Sequence, residues 1–328
     1  MLASLSKRSS FVCAMTEQVW TIKTILDWMV GYLERKGDEN PLLSAQWLLS
    51  DATGLSRIEL YTNFDKPLTM HERDVLRSAV VRRGAGEPLQ YITGEVGFRY
   101  ITVAVKPGVL IPRPETEVLV SEALNEMKLP RVADHVEQTD EGQENIVTAN
   151  LPAIEVLDLC TGSGCIACSI AHEYPAASVL ATDISPEAIA LAQENIEKLG
   201  LESRVHVEKS DLFESFEGDS HERFDLVISN PPYIPTRVLE RLDREVIDYE
   251  PYCALDGGAD GLDIFRRMVK PAYHCLKPNG VLAVELHEDC LEQAKHYLLE
   301  QGFRHVRIAQ DLTGRDRVVI ARKPKPFE

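Results

Sequence analysis

The sequence predicts an α/β protein: a small N-terminal helical domain, then a parallel sheet with helices on both faces, the two joined by a β-hairpin. Three observations carry this. Residues 16–88 hold only helical periodicities. From Leu89 the texture turns to glycine, proline and β-branched residues, with alternation in ITVAV. From Ile154 onward short apolar runs alternate with amphipathic stretches, the pattern of βαβ units.

The elements follow in order. Residues 1–15 read as an N-terminal extension, with Lys7 and Arg8 but too short an apolar patch for a secretory signal; Met15 begins the first helical stretch. Trp20, Ile22, Ile25, Leu26, Met29 and Leu33 keep one face of a helix. Pro41 opens a second, and Thr69 followed by Glu72 is a capping box that opens a third. Residues 89–111 read as the hairpin linker and 112–328 as the second domain. Residues 116–127 resume a helix. An acidic, aperiodic stretch at 130–150 reads as an exposed insertion. Then IEVLDL is a strand, CTGSG a turn and CIACSIAHEY a helix. SVLATDI is the next strand, followed by a helix that Ser185-Pro186 starts and Gly200 ends. VHVEKSD, FDLVISN and GVLAVEL are further strands, and FRHVRIAQ with RVVIARK is expected to close the sheet as an antiparallel hairpin.

Composition narrows the function. The chain has 328 residues, enough for about two domains. Lys+Arg total 35 and Asp+Glu 52, so the formal charge is 35 − 52 = −17. Such a surface repels phosphate backbones and disfavours direct nucleic-acid binding. No run of about 18 apolar residues occurs, so no membrane span is expected. Seven cysteines, scattered and odd in number, point to a reducing cytoplasm. Nothing demands more than a monomer.

Chemistry concentrates after Ile154. A strand ending in Asp158 runs into Cys160, Thr161, Gly162, Ser163 and Gly164 and then a helix. Glycines let a backbone approach a ligand and adopt positive φ. Asp183 ends the next strand, where a carboxylate can accept both hydroxyls of a ribose. GSGCIA also fits the dinucleotide fingerprint, which leaves a nicotinamide-dependent oxidoreductase open. Against it, Asp158 sits badly beside a pyrophosphate but suits an ammonium group, and S-adenosylmethionine carries a ribose, an ammonium and a sulfonium. Cys160, Cys165, Cys168 and Cys253 mimic an iron–sulfur spacing, but two of them fall on an apolar helix face, where Cys behaves as a small hydrophobe. No histidine spacing offers a metal site. Asn230-Pro231-Pro232-Tyr233 follows a strand at the same carboxyl edge. Two prolines remove donors and fix φ, leaving acceptors for a planar NH2, with Tyr233 able to stack on a flat substrate. Two acceptors can turn an amide nitrogen's delocalised lone pair toward a methyl carbon. Arg113 and Glu115 in IPRPETE either form a surface ion pair at a chain turn or, with Thr116, border the substrate pocket.

DLCTGSG, ATDIS, SDLF and SNPPY in this order resemble class I (Rossmann-like) methyltransferases that modify amino or amide nitrogens. The stretch 88–117 and TGRDRVVIAR (313–322) extend the resemblance to the HemK/PrmC family, over about residues 16–323. It implies an enzyme that methylates N5 of the glutamine in the Gly-Gly-Gln motif of peptide chain release factors, with S-adenosylmethionine as donor. The helical domain would help bind the release factor. Cys160 to Gly164 would hold the cofactor, with Asp183 on the ribose and Asp211 and Leu212 near the adenine. Asn230 would touch cofactor and substrate, and Pro231, Pro232 and Tyr233 would complete the glutamine site. Two departures stand out: Cys160 replaces the usual Gly, which suggests a tighter turn, and Leu212 replaces a Trp of some members, so Leu212 or Phe213 must supply the adenine contact.

Overall fold

The computed structural model describes residues 19–129, 136–138, 144–146, 151–216 and 221–326. The expected extension at 1–15 lies outside them, as does most of the insertion at 130–150. The chain forms two compact units that part between Leu89 and Gln90.

The first unit is helical: α1 (Ile22–Lys36), α2 (Pro41–Thr53), α3 (Arg57–Thr62) and α4 (Met70–Gly84). The capping box at Thr69 and Glu72 forms as its sequence predicts, and α1 buries Ile22, Ile25, Leu26, Met29 and Leu33. Helix α3 was not expected. Its own capping box, Ser56 with Glu59, starts it, but at six residues it is too short to show a period.

The second unit opens within α5 (Leu89–Thr93), followed by β1 (Glu95–Phe98) and β2 (Ile101–Ala104), an antiparallel pair. The hairpin is therefore shorter than the expected 89–111. After it come α6 (Thr116–Glu126) and a small antiparallel pair, β3 (Val136–Gln138) and β4 (Glu144–Ile146), within the insertion. The main run is β5 (Ile154–Leu159), α7 (Cys165–Glu173), β6 (Ala177–Asp183), α8 (Pro186–Lys198), β7 (Val205–Lys209) and β8 (Phe224–Ser229). Short helices α9 (Thr236–Leu239) and α10 (Arg244–Ile247) precede α11 (Asp263–Cys275), β9 (Leu276–Glu285), α12 (Leu291–Glu300), β10 (Arg304–Gln310) and β11 (Asp316–Arg322).

Seven strands form one sheet in the order β10-β11-β9-β8-β5-β6-β7. The pairs from β7 to β9 are parallel, while β11 runs antiparallel to β9 and β10 to β11, the terminal hairpin that the sequence predicts. Both faces are covered. Val156, Val179, Leu226 and Ile228 pack with residues of α6 and α7 on one side. Leu157, Leu180, Val227 and Val284 pack with Met268, Leu291 and Leu298 of α11 and α12 on the other. Strands buried on both faces read as continuous apolar runs, which is why these segments are so legible.

One buried polar side chain ties the hairpin, α8 and the glycine turn together. Asn195 accepts from the Ala104 amide at 2.7 Å and donates to the carbonyls of Ala104 at 3.1 Å and Ser163 at 2.9 Å. It is fully buried. Asn195→Ala strands groups that each cost roughly 1–3 kcal/mol when left unpaired, so an overall loss of about 2–4 kcal/mol is expected. Chemical denaturation reads it; a loss below about 1 kcal/mol would contradict this role.

Candidate active site

The chain runs outward from β5 through β6 and β7, then returns to add β8 and β9 on the other side of β5. Ligand crevices open at the carboxyl ends of strands where the order reverses in this way. Leu159 pairs with Ser229, so Cys160 and Asn230 leave the sheet side by side. A cavity of about 250 Å³ opens there. Of the residues the sequence singles out, Cys160, Thr161, Gly162, Ser163, Asp183, Asp211, Leu212, Asn230 and Pro232 line it; Gly164, Pro231 and Tyr233 do not.

The glycine turn is built as a cradle. Gly162 has φ +56° and donates its amide to Asp183 Oδ2 at 2.9 Å. Gly164, at φ +79°, packs against α8: a Cβ there would lie 3.1 Å from that of Ala192. Cys160 takes φ +57°. The turn is thus not merely tight; it places a side chain in the left-handed region, which costs about 1–2 kcal/mol outside glycine. Asp183 receives the Ser185 amide on its other oxygen at 2.9 Å. Burial still pushes its pKa above the ordinary carboxylate value, against these hydrogen bonds.

Asp158 departs from its expected role toward a ligand ammonium. It is fully buried and does not line the cavity. Its Oδ2 accepts from the Thr161 hydroxyl at 2.6 Å, while Oδ1 has no partner. Burial pushes its pKa up to about 7, outweighing the Thr161 hydroxyl and the nearby Ala167 amide; the charge of Asp183 adds to the rise. Asp211 sits at the rim with its carboxylate taken by Arg267 at 2.8 Å. Between the two candidates for the flat wall, Leu212 lines the cavity and Phe213 packs into the core.

Arg113 lines the cavity too, but its partner is Glu250, not Glu115: both carboxylate oxygens lie 2.7 Å from Nη2. A contact 137 positions apart is invisible to sequence spacing. Two hydrogen bonds anchor the NPPY turn, and Thr116, which the sequence places at the pocket border, lines the cavity as well. Asn230 Nδ2 donates to Thr116 Oγ1 at 3.0 Å, and the Tyr233 hydroxyl donates to Glu285 Oε1 at 3.2 Å. Tyr233 is thus an anchor at its hydroxyl rather than a wall of this cavity. Sequence reasoning missed Glu285 and Glu250. The available signal for Glu285 was a lone carboxylate closing the apolar strand GVLAVE. Cys165 and Cys168 pack in the core, and among the described residues no group of three or more metal-ligating side chains lies together. Likewise no described helix is long and apolar enough to cross a membrane.

The class follows from where the two turns meet: a sheet of this order, with a glycine turn and an NPPY turn sharing one crevice, is that of a class I methyltransferase. A release factor glutamine methyltransferase of Geobacter sulfurreducens is 47% identical over 310 residues, covering 94% of this chain and 99% of its own. One of Rhodopirellula baltica is 38% identical over 306 residues, covering 93% and 97%. The chain belongs to the release factor glutamine methyltransferase family. Residues 24–94 match the PrmC N-terminal domain and residues 136–247 the methyltransferase small domain. Among solved structures, the catalytic domain of hMettl16 in complex with the MAT2A 3′UTR hairpin 6 shares the fold at 14% identity and a TM-score of 0.51, covering 78% of this chain and 83% of its own.

The raised pKa of Asp158 has a signed consequence for stability. In the unfolded chain the group ionises near 3.8; folded, it holds its proton to about 7. Between those values the folded state binds more protons, so this contribution to stability falls as pH rises through the window and levels off above it. Asp158→Asn should therefore flatten the decline in melting temperature between about pH 4 and about pH 7. A slope equal to wild type would contradict the buried titration.

Proposed function

We propose that the chain transfers the methyl group of S-adenosylmethionine to the side-chain amide nitrogen of the glutamine in the Gly-Gly-Gln motif of peptide chain release factors. The observation that carries this reading is one cavity lined by both Asp183 and Asn230. We place the reaction in the cytoplasm, where a release factor would meet the enzyme, and assign it to a single chain.

The residues present fit the donor. Each oxygen of Asp183 accepts one backbone amide and keeps a lone pair for a ribose hydroxyl. Leu212, Ile184 and Ile166 give the cavity apolar walls for a purine. When bound, S-adenosylmethionine supplies a methyl carbon on a sulfonium, which is an excellent leaving group. The protein's task is then to hold the acceptor. Among the described residues no donor reaches Asn230 Oδ1, so that oxygen is available for one hydrogen of the substrate NH2. Holding that hydrogen turns the nitrogen lone pair toward the methyl group, and positioning of this kind supplies most of the acceleration. As the nitrogen bonds the methyl carbon the carbon–sulfur bond breaks, the donor would leave as the neutral thioether, and the surplus N–H proton passes to solvent, so no dedicated general base is required. Among its described residues the helical unit carries no catalytic constellation of its own, and we assign it to release-factor binding on its match to the PrmC N-terminal domain.

Two variants separate the halves of the site. Asp183→Ala removes charged acceptors worth roughly 1.5–3 kcal/mol each, so affinity for S-adenosylmethionine should fall about 10- to 100-fold. Calorimetry showing unchanged affinity in a folded variant would refute that assignment. Asn230→Ala should lower turnover about 100-fold with a smaller change in cofactor affinity. Normal turnover by this variant would sink the proposed handling of the amide.

A further inference from the structure

The chain leaving the NPPY turn is stitched to a second loop, residues 255–261. The Ile234 amide donates to the Leu255 carbonyl at 2.9 Å, and the Gly257 amide donates to the Ile234 carbonyl at 2.9 Å. The Thr236 amide donates to the Gly258 carbonyl at 2.9 Å. Asp256 Oδ1 accepts from the Thr236 hydroxyl at 2.7 Å and from the Gly258 amide at 3.0 Å. The loop is in turn fastened to α11. Arg266 donates to both oxygens of Asp260, at 2.9 and 2.5 Å, and the Asp263 amide donates to the Gly257 carbonyl at 3.0 Å. Leu262, just after the loop, is buried in the core.

Two buried glycines of this loop lie directly on the backbone of Tyr233. A Cβ on Gly257 would stand 2.6 Å from Tyr233 Cα and 2.7 Å from its carbonyl carbon. A Cβ on Gly261, at φ +83°, would stand 2.4 Å from the Tyr233 carbonyl oxygen. Non-bonded carbons settle at about 3.5–4.0 Å, so a side chain at either position needs a shift on the order of 1 Å. The obstacle is main chain, which has no rotamer to swing away. Gly257 does not take a positive φ, so space alone demands glycine there. The acceptor site hangs from the residue they touch. Rings fix φ at Pro231 and Pro232, so a shift at Tyr233 is passed back to Asn230 rather than absorbed. Asn230 and Pro232 line the cavity, whereas Gly257 and Gly261 do not. The Tyr233 hydroxyl is held by Glu285 at 3.2 Å, so the residue is gripped at both ends.

We propose that Gly257 and Gly261 are positioning residues for methyl transfer: they form a seat without side chains on which the Tyr233 backbone rests, and the seat sets where Asn230 presents its amide to the acceptor nitrogen. This rests on the glutamine-methylation reading above.

The test compares wild type, Gly257→Ala, Gly200→Ala, Asp256→Ala and Asp256→Asn in the full chain. Single-turnover methylation of an intact release factor should slow about 100-fold in Gly257→Ala, while calorimetric affinity for S-adenosylmethionine stays within about fivefold. Gly200, at φ +67°, has open space where its Cβ would stand. Gly200→Ala therefore strains the backbone away from the site; it should lower the melting temperature yet keep the rate within about threefold of wild type. If Gly257→Ala does not fold, the Asp256 pair decides. Asp256→Ala cuts the stitches between loop and turn without a clash and should slow transfer about 3- to 10-fold; Asp256→Asn keeps the Oδ1 acceptor and should stay within about twofold of wild type. A folded Gly257→Ala at the wild-type rate, a Gly200→Ala as slow as Gly257→Ala, an Asp256→Ala at the wild-type rate, or an Asp256→Asn as slow as Asp256→Ala would overturn the proposal. A second readout needs no substrate. By NMR, the Asn230 side-chain NH2 resonances should move in Gly257→Ala, or in Asp256→Ala where the former does not fold, and stay in place in Gly200→Ala; unmoved resonances in the loop variant overturn the proposal. If wild type transfers no methyl at all, the glutamine reading fails alone, and the Asn230 resonances still decide whether the glycine seat sets the turn.

Discussion

β5 and β8 pair in parallel with Leu159 opposite Ser229, and the Ser229 hydroxyl donates to the Leu159 carbonyl at 2.7 Å. This register sets the rest of the site. It makes the glycine turn and the NPPY turn leave the sheet at one level, so that a donor held by one faces an acceptor held by the other. The next pairing, Ser229 with Val284, brings Glu285 to the same edge. Because side chains alternate across a strand, a slip of one residue would move every core side chain of β8 to the wrong face. The apolar residues on both faces therefore protect the register, and the register positions the chemistry.

The edge carries conformations and charges that the core would not tolerate without compensation. Cys160 and Leu212 both take positive φ, at +57° and +54°. Each lies where the chain leaves a strand and turns along the cavity. Asp158 and Glu285 are buried carboxyls, each with one oxygen unpartnered and a pKa raised to about 7. Strain and buried polarity gathered at one sheet edge are the expected signature of a site in which geometry takes precedence over local stability. Asn195 offsets part of this, since its three hydrogen bonds hold the Gly-rich turn against the hairpin and α8.

Much of this was legible beforehand, for a physical reason. Strands such as IEVLDL and FDLVIS are buried on both sides, so their sequences are runs that no surface element imitates. The glycine turn and NPPY announce themselves because positive φ and missing donors demand particular residue types. What stayed hidden depends on contacts distant in sequence. Arg113 reads naturally with Glu115 two positions on, yet it pairs with Glu250. Asp158 looks like a ligand-facing carboxylate, but the turn folds Thr161 over it. Tyr233 looks like a stacking surface, and nothing in NPPY shows that its hydroxyl is held by a carboxylate 52 positions away. Helix α3 and α5 escaped because six and five residues are too few to display a period.

The central claim is that one amide nitrogen accepts the methyl group. The most direct test incubates the full chain with S-adenosylmethionine and an intact release factor, then maps the product by mass spectrometry. A parallel reaction uses a release factor whose Gly-Gly-Gln glutamine is replaced by glutamate, which has no NH2. The account expects a single methyl group on that glutamine and none on the glutamate form. A methyl group elsewhere in the release factor, or label transferred to the glutamate variant, would contradict it.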